Sequence, residues 1–74
     1  MIKYFNELKA GDVVSPFVNE FTMKPDKKQI KILEGPFECE GAFKGFYVRY
    51  KIEDNTDPTN TELMMHVDTE VTVH

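Results

Sequence analysis

The most regular stretch of the chain reads Phe46-Tyr47-Val48-Arg49-Tyr50-Lys51-Ile52-Glu53. Its even-numbered positions are aromatic or aliphatic, whereas Tyr47, Arg49 and Lys51 occupy odd-numbered ones. Because successive side chains of a strand point to opposite faces, this alternation predicts a half-buried strand. We expect the even-numbered side chains in the core and Tyr47, Arg49 and Lys51 on the outer surface.

A second alternating stretch lies closer to the C-terminus. The odd-numbered positions here are apolar apart from one threonine, and they are Leu63, Met65, Val67, Thr69, Val71 and Val73. The pattern predicts one long strand, or two collinear strands bent near Asp68-Thr69, with a single buried face. Residues 54–60, which lie between the two alternating stretches, are rich in Asp, Asn, Thr and Pro and predict a turn.

The N-terminal half gives weaker patterns. The spacing of Ile2, Phe5 and Leu8 predicts a short helical turn. Residues 13–21 predict an edge or bent strand interrupted by Pro16, because proline cannot donate a hydrogen bond to a sheet. Residues 29–34 predict a strand that stops at Gly35-Pro36. Residues 37–40 predict a further short strand, followed by a loop over residues 41–45.

These short strands and turn-rich connections predict a mainly β fold. We expect a small, strongly curved antiparallel sheet or SH3-like barrel of about five strands with a short N-terminal helical turn. Residues 8–14, which follow that turn, resemble the entry into the first strand of SH3-like barrels, and the resemblance implies the fold alone. No repeat or linker divides the sequence, so residues 1–74 are interpreted as one small β-barrel-like domain.

Length and cysteine content limit how this domain is stabilised. With 74 residues, of which 41% are hydrophobic, the chain can form one small core. Cys39 is the only cysteine, so an internal disulfide is excluded, and the sequence lacks the Cys and His pairs of zinc modules. Stability must therefore come from packing or association. No apolar run has the length of a signal peptide or membrane span, which predicts a cytoplasmic protein without membrane contact.

The net charge of -4 is unevenly distributed. Every Lys and Arg lies at or before Lys51, whereas only acidic charges follow it, at Glu53, Asp54, Asp57, Glu62, Asp68 and Glu70. This asymmetry argues against a uniformly basic nucleic-acid-binding protein. It leaves two candidate surfaces, a local basic patch and an acidic docking face.

No set of residues meets the requirements of catalysis or metal binding. Ser15, the only serine, precedes Pro16 and lacks the Gly-x-Ser-x-Gly turn that exposes a nucleophile. Cys39 lies between two glutamates, which disfavour a thiolate, and we expect it to be a small buried side chain. His66 and Asp68 supply only two ligands, and we expect His66 to be solvated. We therefore predict a protein that is not an enzyme and has no metal or cofactor.

Residues 44–50 provide the main candidate for a binding surface. They resemble the RNP1 strand of RNA-recognition motifs with one small residue deleted, and the deletion places Phe46 and Tyr47 on opposite faces. No site is assigned from this resemblance. The remaining candidate consists of Tyr47, Arg49 and Lys51, with Lys44 in the preceding loop. An aromatic ring flanked by cations suits single-stranded nucleic acid or an acidic protein partner.

The leading hypothesis is a small non-catalytic binding module that acts through protein-protein contacts, as a regulatory or accessory subunit, or through self-association. Partly exposed apolar residues support it, and these are Phe17, Phe21, Phe37, Phe43 and Met64. One alternative, less favoured, is a small barrel that binds single-stranded nucleic acid. The other is an acidic inhibitor, by analogy with small phage-encoded inhibitors, in which Glu62, Asp68 and Glu70 imitate nucleic-acid phosphates.

Overall fold

A computed structural model describes residues 1–15 and 28–74. The strands are β1 Ile2–Tyr4, β2 Val13–Ser15, β3 Ile30–Glu38, β4 Tyr47–Asp54, β5 Glu62–His66 and β6 Glu70–Val73. Two short 3-10 turns, Phe5–Glu7 and Gly41–Phe43, precede β2 and β4. The predicted mainly β class is confirmed, with six strands in place of about five. No helix within the described ranges has the length and apolar character needed to cross a bilayer.

The strands form one antiparallel sheet in the order β1-β6-β2-β3-β4-β5. Residues 67–69 connect β5 to β6, although β2, β3 and β4 stand between these strands. In a flat sheet β5 and β6 would lie roughly 19 Å apart. The connection spans at most about 14 Å, so the sheet must curl. Within the described residues β1 and β5 do not pair, so the expected barrel does not close and an SH3-like assignment is not confirmed.

The concave side of the curled sheet carries the core. Its buried hydrophobic residues are Phe5, Leu8, Val14, Ile30, Ile32, Tyr50, Ile52 and Val71. Val48, Leu63, Met65 and Val73 pack against this cluster. The even-numbered residues from Val48 onward in β4 and the odd-numbered residues of β5 and β6 therefore face the core, as the alternation predicts.

Tyr50 connects β4 to the N-terminal segment. Its ring packs edge-on against Phe5 at 5.0 Å between centroids. Its hydroxyl lies 3.0 Å from the carbonyl oxygens of both Phe5 and Leu8, which share its one proton. Burial raises the pKa of Tyr50. The phenol therefore remains a neutral donor to the carbonyl groups of the first residue and of the C-cap of the 3-10 turn.

The predicted strand end at Gly35-Pro36 is wrong. β3 continues through these residues to Glu38, with register shifts against β4 between Ile32 and Glu34 and between Glu34 and Phe37. Such irregularities leave residues unpaired in the ladder, so a proline without an N–H is tolerated within the strand. The separate short strand predicted for residues 37–40 is accordingly the end of β3.

Three further predictions from the sequence need correction. Ile2 belongs to β1 and is 65% exposed, so only Phe5 and Leu8 of the predicted helical face are buried. Phe46 is 60% exposed because β4 begins one residue later and Phe46 lies in the preceding turn. Residues 63–73 form two strands that lie in different parts of the sheet and are not collinear.

Part of one predicted strand can be compared with the structure. β2 confirms the strand from Val13 to Ser15. The rest of residues 13–21, together with the aromatic residues Phe17 and Phe21, lies outside the described residues.

Candidate functional site

The predicted binding residues of β4 lie on the convex side of the sheet, where strand register places them in cross-strand rows. Phe37, Arg49 and Met64 form the central row, from β3, β4 and β5 respectively. Tyr47 pairs with His66 at one end. Lys51 lies between Glu34 and Glu62 at the other end. Cross-strand neighbours share a face of the sheet, so these side chains form one surface, called here the outer face.

Aromatic side chains pack together at one end of the outer face. The Tyr47 ring meets Phe43 edge-on at 5.1 Å between centroids and His66 at 5.4 Å. Tyr47 is half-buried between them, whereas Phe43 is 48% exposed. The ring predicted as an exposed stacking platform is thus held by neighbours on two sides, and Phe43 provides much of the accessible aromatic surface.

Cations lie over an aromatic ring at the centre of the outer face. The Arg49 guanidinium carbon is 5.3 Å from the centroid of Phe37, and the Lys51 ammonium nitrogen is 5.8 Å from it. Met64, directly opposite Arg49 on β5, is 47% exposed. The aliphatic parts of Arg and Lys side chains cover apolar surface, so this centre is an apolar patch bearing positive charge.

Each of these two cations also has a carboxylate nearby. Arg49 Nη1 lies 3.8 Å from Glu62 Oε1, and Lys51 Nζ lies 3.5 Å from Glu34 Oε2. All four side chains are partly exposed, so each pair contributes less than about 1 kcal/mol to stability. The pairs nevertheless offset the positive charge expected of this strand. Lys44 is exposed in the turn before β4.

A shallow cleft opens beside the aromatic end of the outer face. Its lining combines apolar and charged side chains, namely Glu38, Cys39, Glu40, Phe43, Arg49 and Met64. Cys39 is 7% exposed and both flanking glutamates are exposed, which confirms the expected buried cysteine. The cleft therefore presents apolar side chains together with two exposed carboxylates.

The three acidic candidates occupy different environments. Glu62 contacts Arg49 and so belongs to the outer face. Asp68 lies in the turn between β5 and β6 with an 81% exposed side chain. Glu70 begins β6 and pairs with Tyr4 of β1. The predicted basic and acidic surfaces therefore meet at the contact between Arg49 and Glu62.

Two histidines occupy positions that the sequence does not indicate. The His66 side chain is 41% exposed and meets the Tyr47 ring on one side, and its Nδ1 accepts a hydrogen bond from the Asp68 N–H at 3.1 Å. His74 Nε2 shares a 2.6 Å hydrogen bond with the Ser15 hydroxyl. Ser15 is 1% exposed, so this contact links the end of β2 to the residue that follows β6.

An additional polar cluster surrounds Asp54 at the end of β4. The buried carboxylate accepts hydrogen bonds from Asn60 Nδ2 at 2.9 Å and from the Thr56 N–H and hydroxyl at 2.8 Å. Lys28 Nζ lies 2.9 Å away. The hydrogen bond from Asn60, together with those from Thr56 and Lys28, holds the pKa of Asp54 well below its usual range against the effect of burial. This cluster fixes the predicted turn.

The sequence indicates most members of the outer face but as parts of two separate features. The sequence predicts Tyr47, Arg49 and Lys51 as a strand face and names Phe37, Phe43 and Met64 among the residues of a partly exposed apolar patch. The register of β3, β4 and β5 brings both groups together. Comparisons with protein-family models, with curated proteins and with solved structures find no match to this chain.

Proposed function

We propose that this protein is a small non-catalytic module that binds another protein through its outer face. One observation carries the proposal: Phe37, Arg49 and Met64 adjoin on one sheet face beside the exposed Phe43 ring, and each central cation there also faces a carboxylate. Aromatic residues, Met and Arg are the residue types enriched at protein interfaces. A regulatory or accessory role is consistent with such a surface.

The apolar centre would supply most of the binding free energy. Phe43 and Met64 are each about half exposed and border the same cleft. Covering them with a partner side chain removes apolar area from water, which is favourable by about 25 cal/mol per Å². The paired charges around them would then set orientation, because charges at an interface rim contribute more to specificity than to affinity.

The charges favour a protein partner over single-stranded nucleic acid. Glu34 and Glu62 lie beside the two central cations, and Glu38 and Glu40 border the cleft. These carboxylates would repel a phosphate backbone. Tyr47 is packed edge-on by two rings, which leaves less of its faces for a base to stack on. The acidic-inhibitor alternative is also weaker, since Glu62 already contacts Arg49.

The cleft suggests the chemistry of the bound segment. An apolar or aromatic side chain would fill the space between Phe43 and Met64, and an adjacent Lys or Arg would reach Glu38 or Glu40. We therefore expect a preference for sequences in which an apolar residue is followed or preceded by a basic one.

Selection from a displayed library of random 12-residue peptides tests this function. The wild-type protein is expected to enrich apolar-basic sequences, and Phe43→Ser should weaken binding of the selected peptides at least about tenfold, the loss expected for one buried aromatic contact. Phe46→Ser is the matched control, because Phe46 is also exposed in the same loop but lies outside the outer face. Binding that Phe43→Ser leaves unchanged would overturn the proposal.

Measuring oligonucleotide binding distinguishes the proposed protein-binding function from the nucleic-acid-binding alternative. Fluorescently labelled single-stranded oligonucleotides should show no binding at 50 mM salt. Affinity that falls steeply with salt and is lost in Arg49→Ala would instead support the nucleic-acid-binding alternative.

A further inference from the structure

The outer edge of β5 has unpaired backbone groups within the described part of the chain. The Val67 N–H donates at 2.9 Å to the carbonyl of Phe46, the residue just before β4. Because the bonding direction alternates along an antiparallel strand, odd-numbered residues of β5 direct their backbone groups toward β4. The N–H and C=O groups of Glu62 and Met64 therefore point away from β4, and no described strand pairs with that side.

The turn after β5 sets the length of this open edge. The Thr69 N–H donates to the His66 carbonyl at 3.0 Å, so Thr69 already occupies the space beside His66. The N–H and C=O groups of Glu62 and Met64 remain clear of this turn. A strand added antiparallel satisfies all of these groups with only two of its residues, because directly opposed residues exchange both hydrogen bonds. The edge therefore accommodates a short extended segment that starts, or turns away, before it reaches His66.

We propose that the protein segment bound by the outer face adds to the sheet as an extended strand antiparallel to β5. This strand addition rests on the proposed function and fixes the order of residues that the function leaves open. An apolar residue of the segment lies beside Met64 and, two residues later, a Lys or Arg lies beside Glu62. β5 runs from Glu62 toward Met64 and its partner runs the opposite way, so the order from N- to C-terminus is apolar-x-basic. The intervening residue faces the other side of the sheet.

The side chains of β5 suit this order. Met64 is 47% exposed, and an apolar cross-strand neighbour on the same face would cover its flexible thioether. The Glu62 side chain is 53% exposed, and its Oε1 lies 3.8 Å from Arg49 Nη1, which is too long for a hydrogen bond. The carboxylate therefore remains able to accept a hydrogen bond from a cation on the side away from β4. The reverse order would bring a cation beside Met64, which lies directly opposite Arg49.

N-methylated peptides test the strand geometry without altering the protein. The probe is a fluorescein-labelled 12-residue peptide with Phe-Thr-Lys at its centre and Gly and Ser on both sides, and its affinity for the intact protein is measured by fluorescence anisotropy. A methyl group on the backbone nitrogen of Phe or of Lys removes a donor to β5 and should weaken binding at least about fivefold. N-methylation of Thr is the matched control and should leave the affinity unchanged, because its N–H points away from β5. Equal losses at all three positions would overturn the proposal.

The order of the residues provides the second test. A peptide with Lys-Thr-Phe at its centre should bind at least about fivefold more weakly than the Phe-Thr-Lys peptide. Glu62→Gln should reduce this preference, whereas Glu70→Gln, which makes the same change of charge on β6, should retain it. Equal affinity of the wild-type protein for both orders would contradict the strand geometry, while peptides selected from the library and weakened by Phe43→Ser would still support the proposed function. A library that yields no binding peptide, together with no binding of the Phe-Thr-Lys peptide, would overturn both.

Discussion

Gly35 lies directly against the ring of Tyr50. A Cβ atom placed on Gly35 would lie 2.6 Å from Tyr50 Cδ1 and 3.1 Å from the Arg49 carbonyl oxygen. Gly35 also has φ +136°, a conformation that other residues rarely adopt. Its lack of a side chain lets β3 pass close beside Tyr50 while it pairs with β4.

Gly35→Ala should therefore destabilise the protein by about 2–4 kcal/mol, through steric overlap with Tyr50 and backbone strain. Urea denaturation followed by circular dichroism measures the change. Gly41→Ala is the matched control: its φ is +67°, but an added Cβ would meet no atom within 4 Å. We expect this variant to lose only about 1 kcal/mol. Equal losses in both variants would contradict the packing argument.

Tyr50→Phe should reduce stability by about 1–2 kcal/mol while retaining the ring packing. The substitution removes the hydroxyl that donates to the carbonyls of Phe5 and Leu8, and both sites are buried. Urea unfolding measures the difference. Tyr47→Phe, which alters a half-buried ring on the convex side, should change stability by less than about 0.5 kcal/mol. A Tyr50→Phe protein as stable as wild type would contradict the stabilising role of these contacts.

Asp54 should make folding sensitive to acid. Its pKa lies well below the usual value in the folded state, so the unfolded chain binds a proton more readily and stability declines as pH falls. The contribution is complete above about pH 5 and decreases as the pH drops through the usual aspartate pKa of about 3.9. Asp54→Asn should be less stable than wild type at pH 7, with the difference shrinking toward pH 3.

Thermal unfolding of both proteins at pH 7, 5, 4 and 3 provides this comparison. Glu53→Gln removes an exposed carboxylate from the same strand and keeps the hydrogen bonds of Asp54, so it controls for the change in net charge. A difference in stability between Asp54→Asn and wild type that stays constant across the pH series would contradict the lowered pKa of Asp54.

Sequence periodicity was sufficient for the core face of β4, β5 and β6. Tyr50, Ile52 and Val71 are buried where alternation places them, because a pleated strand sends neighbouring side chains to opposite sides whatever its partners are. The same argument predicted Arg49 on the convex side. It could not reveal that Phe37 and Met64 flank Arg49, because strand pairing depends on contacts between distant segments.

Alternation along the chain therefore determined the mainly β class and which side chains of the C-terminal half face the core. The tertiary structure decided the strand order, the continuation of β3 past Pro36, and the assembly of the outer face. The physical reason is that local and long-range interactions decide different features. The backbone of a strand sets the direction of its own side chains, whereas hydrogen bonding and packing between distant segments set register, bulges and sheet edges.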